Sequence, residues 1–149
     1  MYEVVVCLSL VSSAMLLGLM VVVLTVLRPL WSSLPDSGAA RGFQAFLRFA
    51  TPNPVLVVLN FVPVLGTVAI LFLDGSGTRA MAFVGGGVFF VGYFVVTALV
   101  NTPMYAKVMA WDPESAPDEV SAQLARFHRV NVIRLAATAA SAALFFAAA

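Results

Sequence analysis

Four long apolar stretches, separated by glycines, prolines and charged residues, dominate the pattern of hydrophobic and polar positions along the chain. A helix that crosses a membrane needs about 20 largely apolar residues. We therefore predict membrane-spanning helices over about residues 4–27, 54–73, 80–102 and 120–148. The last enters the apolar layer only from about residue 130, because its earlier turns carry polar side chains. The pattern predicts an all-α fold, an integral membrane four-helix bundle formed by a single domain of residues 1–149.

Prolines and glycines mark the expected ends of these helices. Pro29 should end the first helix and Pro103 the third, because proline disfavours a helical conformation for the residue before it. The Asp-Gly-Ser-Gly sequence at residues 74–77 should end the second. Between the first two helices, apolar residues at helical spacing over residues 43–49 predict a short amphipathic helix along the membrane surface.

Composition excludes several classes of protein. The chain is 62% hydrophobic and 10% charged, whereas a soluble domain carries about 25% charged residues. The net charge of +1 provides no basic face for nucleic acid, so we expect the lipid bilayer and no nucleic acid as a partner. The single cysteine excludes an internal disulfide and multi-cysteine metal sites. The single histidine excludes bis-histidine haem ligation within one chain.

Basic residues predict how the chain is oriented in the cell membrane. One of the eight, Arg79, lies in the second connection, and the other seven lie in or next to the first and third: Arg28, Arg41, Arg48, Lys107, Arg126, Arg129 and Arg134. The positive-inside rule places the connections that are rich in lysine and arginine in the cytoplasm. We therefore expect a multi-pass protein with connections one and three in the cytoplasm and both termini outside.

Polar side chains within the apolar runs gather at the predicted cytoplasmic end. At membrane depth, such groups usually face the interior of a bundle or a cavity. The candidates share one face of the third helix or one face of the fourth: Tyr93, Thr97 and Asn101 on the third, and Phe127, Asn131 and Arg134 on the fourth, with His128 at its edge. Gln44 approaches the same level from the first connection. We therefore predict a polar cup between the ends of the last two helices.

Each of these residues also has a purely structural interpretation. Arg134 can snorkel to lipid phosphates, Asn101 can cap its helix or bridge two helices, and His128 can be an ordinary interfacial residue. Trp31 and Trp111 are expected to be aromatic anchors at the membrane interface.

Small residues predict where helices approach each other closely. Gly85, Gly86, Gly87 and Gly92 should allow such packing within the third helix, and a binding cavity beside them is the alternative. The alanine-rich C-terminal stretch would permit close contact within one chain or between chains, so a homo-oligomer is one expectation.

The residues of the predicted cup resemble the anthrone-oxygenase-like family of small four-helix membrane proteins. The resemblance runs from about residue 43 to residue 144. In that family, Asn-x-Pro-x-Asn follows the third helix and Trp-x-x-x-Asn-x-x-Arg opens the fourth. Four positions match these patterns and two differ: Asn101, Pro103, Asn131 and Arg134 match, whereas Tyr105 and Phe127 replace the family's Asn and Trp.

The resemblance implies a membrane oxygenase or related tailoring enzyme for a hydrophobic aromatic or polyketide-like substrate, with no metal or flavin cofactor. In this hypothesis, His128 is the catalytic base, because it is the only side chain with a pKa in the neutral range. Arg134 and Asn101 are the catalytic donors to an enolate oxygen. The remaining candidates are substrate-binding residues: Asn131, Tyr93, Thr97, Tyr105, Phe127 and Gln44.

Two other functions stay open at this point. The protein could be non-catalytic, either a small transporter or an accessory subunit of a membrane complex. The first three helices carry no Asp or Glu well inside the bilayer, which disfavours a proton-coupled exporter. A third hypothesis is haem or copper binding by His128 together with Met104 or Met109.

Overall fold

The computed structural model describes residues 1–73, 77–112 and 117–149. Over these residues the chain is helical with no strand, which confirms the predicted all-α fold. The helices run in the order α1 (Tyr2–Ser32), α2 (Asp36–Ala50), α3 (Pro54–Ile70), α4 (Arg79–Met109) and α5 (Val120–Ala148). The predicted turn after the second apolar stretch lies outside the described residues, except for Gly77.

Three of these helices, α1, α4 and α5, are each long and apolar enough to cross a membrane. Helix α3 has 17 residues and meets α2 at an angle of 66°, so these two form a fourth candidate span only as a bent pair. Large apolar side chains cover much of the outer surface of the bundle, as expected where lipid replaces water as the solvent. The chain is therefore an α-helical protein with three or four helices suited to a membrane.

Pro29 and Pro103 do not end their helices, contrary to the prediction from sequence. Both α1 and α4 continue beyond the proline. In each helix a stretch with π-helical hydrogen bonding precedes the proline, at Val23–Leu27 in α1 and at Thr97–Asn101 in α4. Proline has no N–H, and its ring clashes with the carbonyl four residues earlier. The wider π turn accommodates this mismatch, so the helix continues.

Glycines bring α4 close to its neighbours. A Cβ atom placed on Gly92 would lie 2.4 Å from the Cβ atom of Ala137 on α5, and one on Gly86 would lie 2.6 Å from the Cβ atom of Thr67 on α3. Carbon atoms do not approach so closely without bonding, so both contacts depend on glycine. Nothing lies within 4 Å of the equivalent position on Gly87. A Cβ atom on Gly85 would lie 3.0 Å from that of Leu144 on α5. The prediction of close packing is therefore confirmed for Gly85, Gly86 and Gly92 and is wrong for Gly87.

An aromatic cluster closes the end of the bundle where α2 lies across it. The ring centroids of Trp31 and Phe43 are 5.3 Å apart, and those of Phe43 and Phe127 are 4.7 Å apart. These rings join α1, α2 and α5 through direct packing. Trp31 is only 3% exposed, so the prediction that it anchors the chain at the lipid interface is wrong.

An ion pair connects the end of α4 with the residue that precedes α5. Lys107 Nζ lies 2.6 Å from Glu119 Oε2, and both side chains are exposed. The hydrogen bond donated by the Lys107 ammonium holds the pKa of the Glu119 carboxyl below its usual value. Exposed pairs contribute little to stability.

Candidate functional site

A cavity of about 690 Å³ opens among all five helices. This volume falls within the range of about 300–1,000 Å³ that is typical of small-molecule sites. Its walls are largely apolar. On the side of α3, the rim includes Val57 and Phe61, each 44% exposed on the outer surface. The cavity thus borders both the bundle interior and the face that lipid would cover.

Six of the nine predicted site residues line this cavity: Tyr93, Thr97, Tyr105, Phe127, Asn131 and Arg134. They lie on the adjacent faces of α4 and α5, because intervals of three and four residues repeat with the helical turn. The hollow predicted between these helices is therefore present. The other three candidates, Asn101, His128 and Gln44, do not line the cavity.

Arg134 is the charged group buried in its wall. Its Nη1 donates a hydrogen bond to Asn131 Oδ1 over 2.8 Å, and its Cζ lies 4.3 Å from the centroid of the Tyr93 ring. A cation over an aromatic face at this distance contributes about 0.5–2 kcal/mol. Arg134 is 8% exposed and points inward. The alternative that it snorkels to lipid phosphates is therefore wrong.

The charge of Arg134 is not neutralised by any carboxylate in the described part of the chain. Its Nε atom is buried and has no hydrogen-bond partner there. Burial of a charged group is costly unless it is paired and hydrogen-bonded. The apolar cavity therefore contains a positive charge with no counter-ion, and an anionic group of a ligand would neutralise it.

Tyr105 and Asn101 lie beside this arginine. The phenol of Tyr105 interacts with the Arg134 guanidinium and is close to the Asn101 amide. Asn101 is 0% exposed, and neither atom of its amide has a hydrogen-bond partner among the described residues. Asn101 is not among the residues that line the cavity, and its role as a donor to the substrate stays a prediction.

His128, predicted as the catalytic base, does not line this cavity. One residue corresponds to about 100° of rotation on a helix, which turns His128 away from the face that carries Phe127 and Asn131. Its ring packs between Trp31 and Phe127, with centroid distances of 5.8 Å and 5.4 Å, and lines a different cavity. Its imidazole therefore contributes to the wall of the other cavity and not to that of the large one. Met109 lines the large cavity and His128 the other one, so the structure does not bring this pair together. The alternative ligand Met104 is a buried core residue, and haem or copper binding with it stays a prediction.

Gln44, predicted to bind substrate, does not line the cavity and joins two helices. Its Nε2 donates to the carbonyl oxygens of Val108, over 2.9 Å, and Trp111, over 3.0 Å. The last carbonyls of a helix have no partner within the helix, and Gln44 supplies one to the end of α4. This buried amide joins α2 to α4.

Replacing Gln44 with alanine should therefore destabilise the protein. Loss of the donor removes two hydrogen bonds that tie α2 to the end of α4, at a cost of about 1–3 kcal/mol, so the unfolding temperature in detergent should fall. Gln44→Glu, which keeps the shape and removes the donor, should be at least as destabilising. Unchanged unfolding temperatures for both variants would contradict the role of this amide.

Four polar residues of the cavity wall were not predicted as site residues: Arg48, Thr51, Asn60 and Thr102. Asn60 lines the cavity, and its Nδ2 donates to Leu56 O of its own helix over 2.5 Å, not to a neighbouring helix. Arg48 also lines the cavity. Its position four residues after Gln44, on the same face of α2, was the available signal. Among the described residues, no group of three His, Cys, Asp or Glu side chains could hold a metal ion.

The fold and this cavity define a class of protein. It is a small α-helical protein of membrane type, with an apolar cavity that has a buried arginine in its wall. Comparison with known families gives a more specific assignment. Residues 46–144, about two-thirds of the chain, match the model of the family described as anthrone oxygenase, and the chain belongs to that family. All six cavity-lining candidates fall within the matched range, whereas Gln44 precedes it. Searches of curated proteins and of solved structures found no match.

Proposed function

We propose that the protein is a membrane-embedded oxygenase, or a related tailoring enzyme, that converts a hydrophobic aromatic or polyketide-like substrate in the large cavity. Membership of the anthrone oxygenase family supports oxygenase chemistry. The observation that carries the proposal is the buried, uncompensated guanidinium of Arg134 in the apolar cavity. A flat, apolar molecule with one anionic oxygen would complement both the walls and the charge.

An enolate is the form of substrate that fits this site. An anthrone loses a proton from its ring methylene, because the resulting carbanion is the enolate of an extended aromatic system. Arg134, with Tyr105 beside it, can stabilise the enolate oxygen. The rings of Tyr93 and Phe127 can pack against a flat substrate. Since the only imidazole of the chain lines the other cavity, we propose that the substrate binds as the enolate and leaves its proton in water.

The oxidation then balances with dioxygen as the only co-reactant. The enolate carbon gives an electron to dioxygen, and the two radicals combine with a proton to form a hydroperoxide on that carbon. The O–O bond breaks and the remaining C–H proton leaves, so that water is lost and a carbonyl forms. One anthrone and one dioxygen thus give one quinone and one water. The protein supplies orientation and stabilisation of charge, and the proposed reaction uses no metal or flavin.

We also propose an orientation for the chain in the cell membrane. The α1–α3 connection, which contains α2, and the α4–α5 connection would face the cytoplasm, with both termini outside, because seven of the eight basic residues lie in or next to these connections. Arg134, Tyr105 and Phe127 would then lie toward the cytoplasmic side, with the hydrophobic substrate and the bilayer as the partners.

The test uses the purified full-length chain in detergent micelles with an anthrone as the substrate. We expect quinone absorbance to rise and dioxygen to be consumed in equal amounts, faster than in micelles without protein. Binding of the anthrone without turnover would overturn the enzymatic proposal and favour a non-catalytic carrier. Absence of both binding and turnover would show that this class of substrate does not occupy the cavity.

A further inference from the structure

A second cavity, of about 530 Å³, lies where the end of α1, the start of α2 and the start of α5 meet. It shares no lining residue with the large cavity. Polar and charged side chains form a larger part of its wall, which includes Arg28, Ser32, His128 and Arg129. The proposed oxidation uses none of these residues, so this cavity calls for a separate explanation.

The charge in this second cavity is predominantly positive. Arg28 and Arg129 are exposed at its wall, and neither forms an ion pair with a described residue. Asp36 is the carboxylate among the described lining residues, and its Oδ1 accepts a hydrogen bond from Ser121 Oγ over 3.1 Å. Two guanidinium groups therefore line the cavity against one carboxylate, so the balance of charge there is positive.

The buried imidazole of His128 points to a missing partner in the same place. The side chain is 6% exposed, and neither ring nitrogen has a hydrogen-bond partner among the described residues. Arg28 is close enough to act electrostatically on the ring. Buried polar atoms in proteins are nearly always paired with protein, water or a ligand. An acceptor in the cavity would satisfy an N–H of this ring and the two arginines together.

We propose that this second cavity binds a phosphate group through Arg28, Arg129 and His128. Guanidinium groups match phosphate oxygens with two parallel hydrogen bonds and are the usual partners of such anions. Leu34 and Val132 also line the cavity and are exposed, which gives it an apolar flank where acyl chains would fit. The phosphate can therefore belong to a membrane lipid, and free phosphate is the other source of the same chemistry.

The test measures binding to the full-length chain in a phosphate-free maltoside detergent, by native mass spectrometry and thermal unfolding. The probes are phosphatidylglycerol, a diacylglycerol with the same acyl chains, and inorganic phosphate. We expect phosphatidylglycerol to bind at least about tenfold more tightly than the diacylglycerol, since one charge-assisted contact is of that order. Arg28→Gln and Arg129→Gln should each weaken this binding about tenfold.

Matched variants make this result specific to the cavity. Arg126→Gln removes an exposed arginine one turn earlier on α5 that lines neither cavity, and it should leave lipid binding unchanged. His128→Phe keeps an aromatic ring against Trp31 and removes the donor, so the affinity should fall.

The outcomes distinguish the two sources of phosphate. Stabilisation by inorganic phosphate that Arg129→Gln abolishes would assign the site to free phosphate, and dependence on phosphatidylglycerol alone would assign it to lipid. Equal affinity for phosphatidylglycerol and the diacylglycerol, with no effect of inorganic phosphate, would overturn the proposal. Equal losses in Arg126→Gln and Arg129→Gln would overturn it as well.

Discussion

Replacing Arg134 with glutamine should lower the rate of quinone formation by about 10²–10³. That factor is typical when one preorganised donor to a developing oxyanion is removed. The unfolding temperature should stay the same or rise, because the variant no longer buries a charge without a carboxylate partner. Initial rates of absorbance change and thermal unfolding in the same detergent measure both effects.

Two further variants separate the charge of Arg134 from its geometry. Arg134→Lys keeps the positive charge but lacks the planar fork that lies over Tyr93 and bonds Asn131, so it should recover only part of the rate. Arg126→Gln, eight residues earlier on α5 and exposed, should react at the wild-type rate. Wild-type turnover by Arg134→Gln would remove the basis of the proposed site.

Replacing Gly92 with leucine should destabilise the protein by about 1–3 kcal/mol or more. Overpacking of a close interface has a cost of this size, and even a bare Cβ at this position would lie 2.4 Å from that of Ala137. The substitution would push α4 away from α5 next to Tyr93, whose ring supports Arg134. Turnover should therefore fall together with the unfolding temperature.

Gly87→Leu is the matched control for this substitution. It makes the same change in the same helix, at a position with nothing within 4 Å. Leucine also favours a helix more than glycine does, by just under 1 kcal/mol, so this variant should be as stable as the wild type or slightly more so. Equal unfolding temperatures for Gly87→Leu and Gly92→Leu would contradict the close contact of α4 with α5.

The helices and much of the cavity wall follow from local patterns in the sequence. Long apolar runs have few ways to satisfy their backbone in lipid, so helices were the expected result. Tyr93 and Thr97 on one helix, and Asn131 and Arg134 on the next, fall on shared faces because the helical repeat is fixed. Only the pairing of α4 with α5 had to be assumed, and a short connection made it the natural choice.

The structure departs from the predicted placement of residues where that placement depends on distant parts of the chain or on backbone detail. His128 and Phe127 are adjacent in sequence, and the helices that pack against them from distant parts of the chain are not visible in the local pattern. Gln44 finds its partners 64 and 67 residues away, which no local pattern indicates. Pro29 and Pro103 predicted helix ends, but a π-helical stretch before each proline accommodates its missing N–H and its ring, so the helix continues.

Val57 and Phe61 are half-exposed at the rim of the large cavity, so the hydrocarbon tails of lipids would form part of its wall on that side. Under the proposed function, the bilayer is then the reaction medium as well as the support. A hydrophobic substrate and dioxygen are both more soluble in the bilayer than in water. The rate at which substrate enters the cavity would then depend on the concentration of substrate in the membrane. The product could diffuse away within the plane of the membrane.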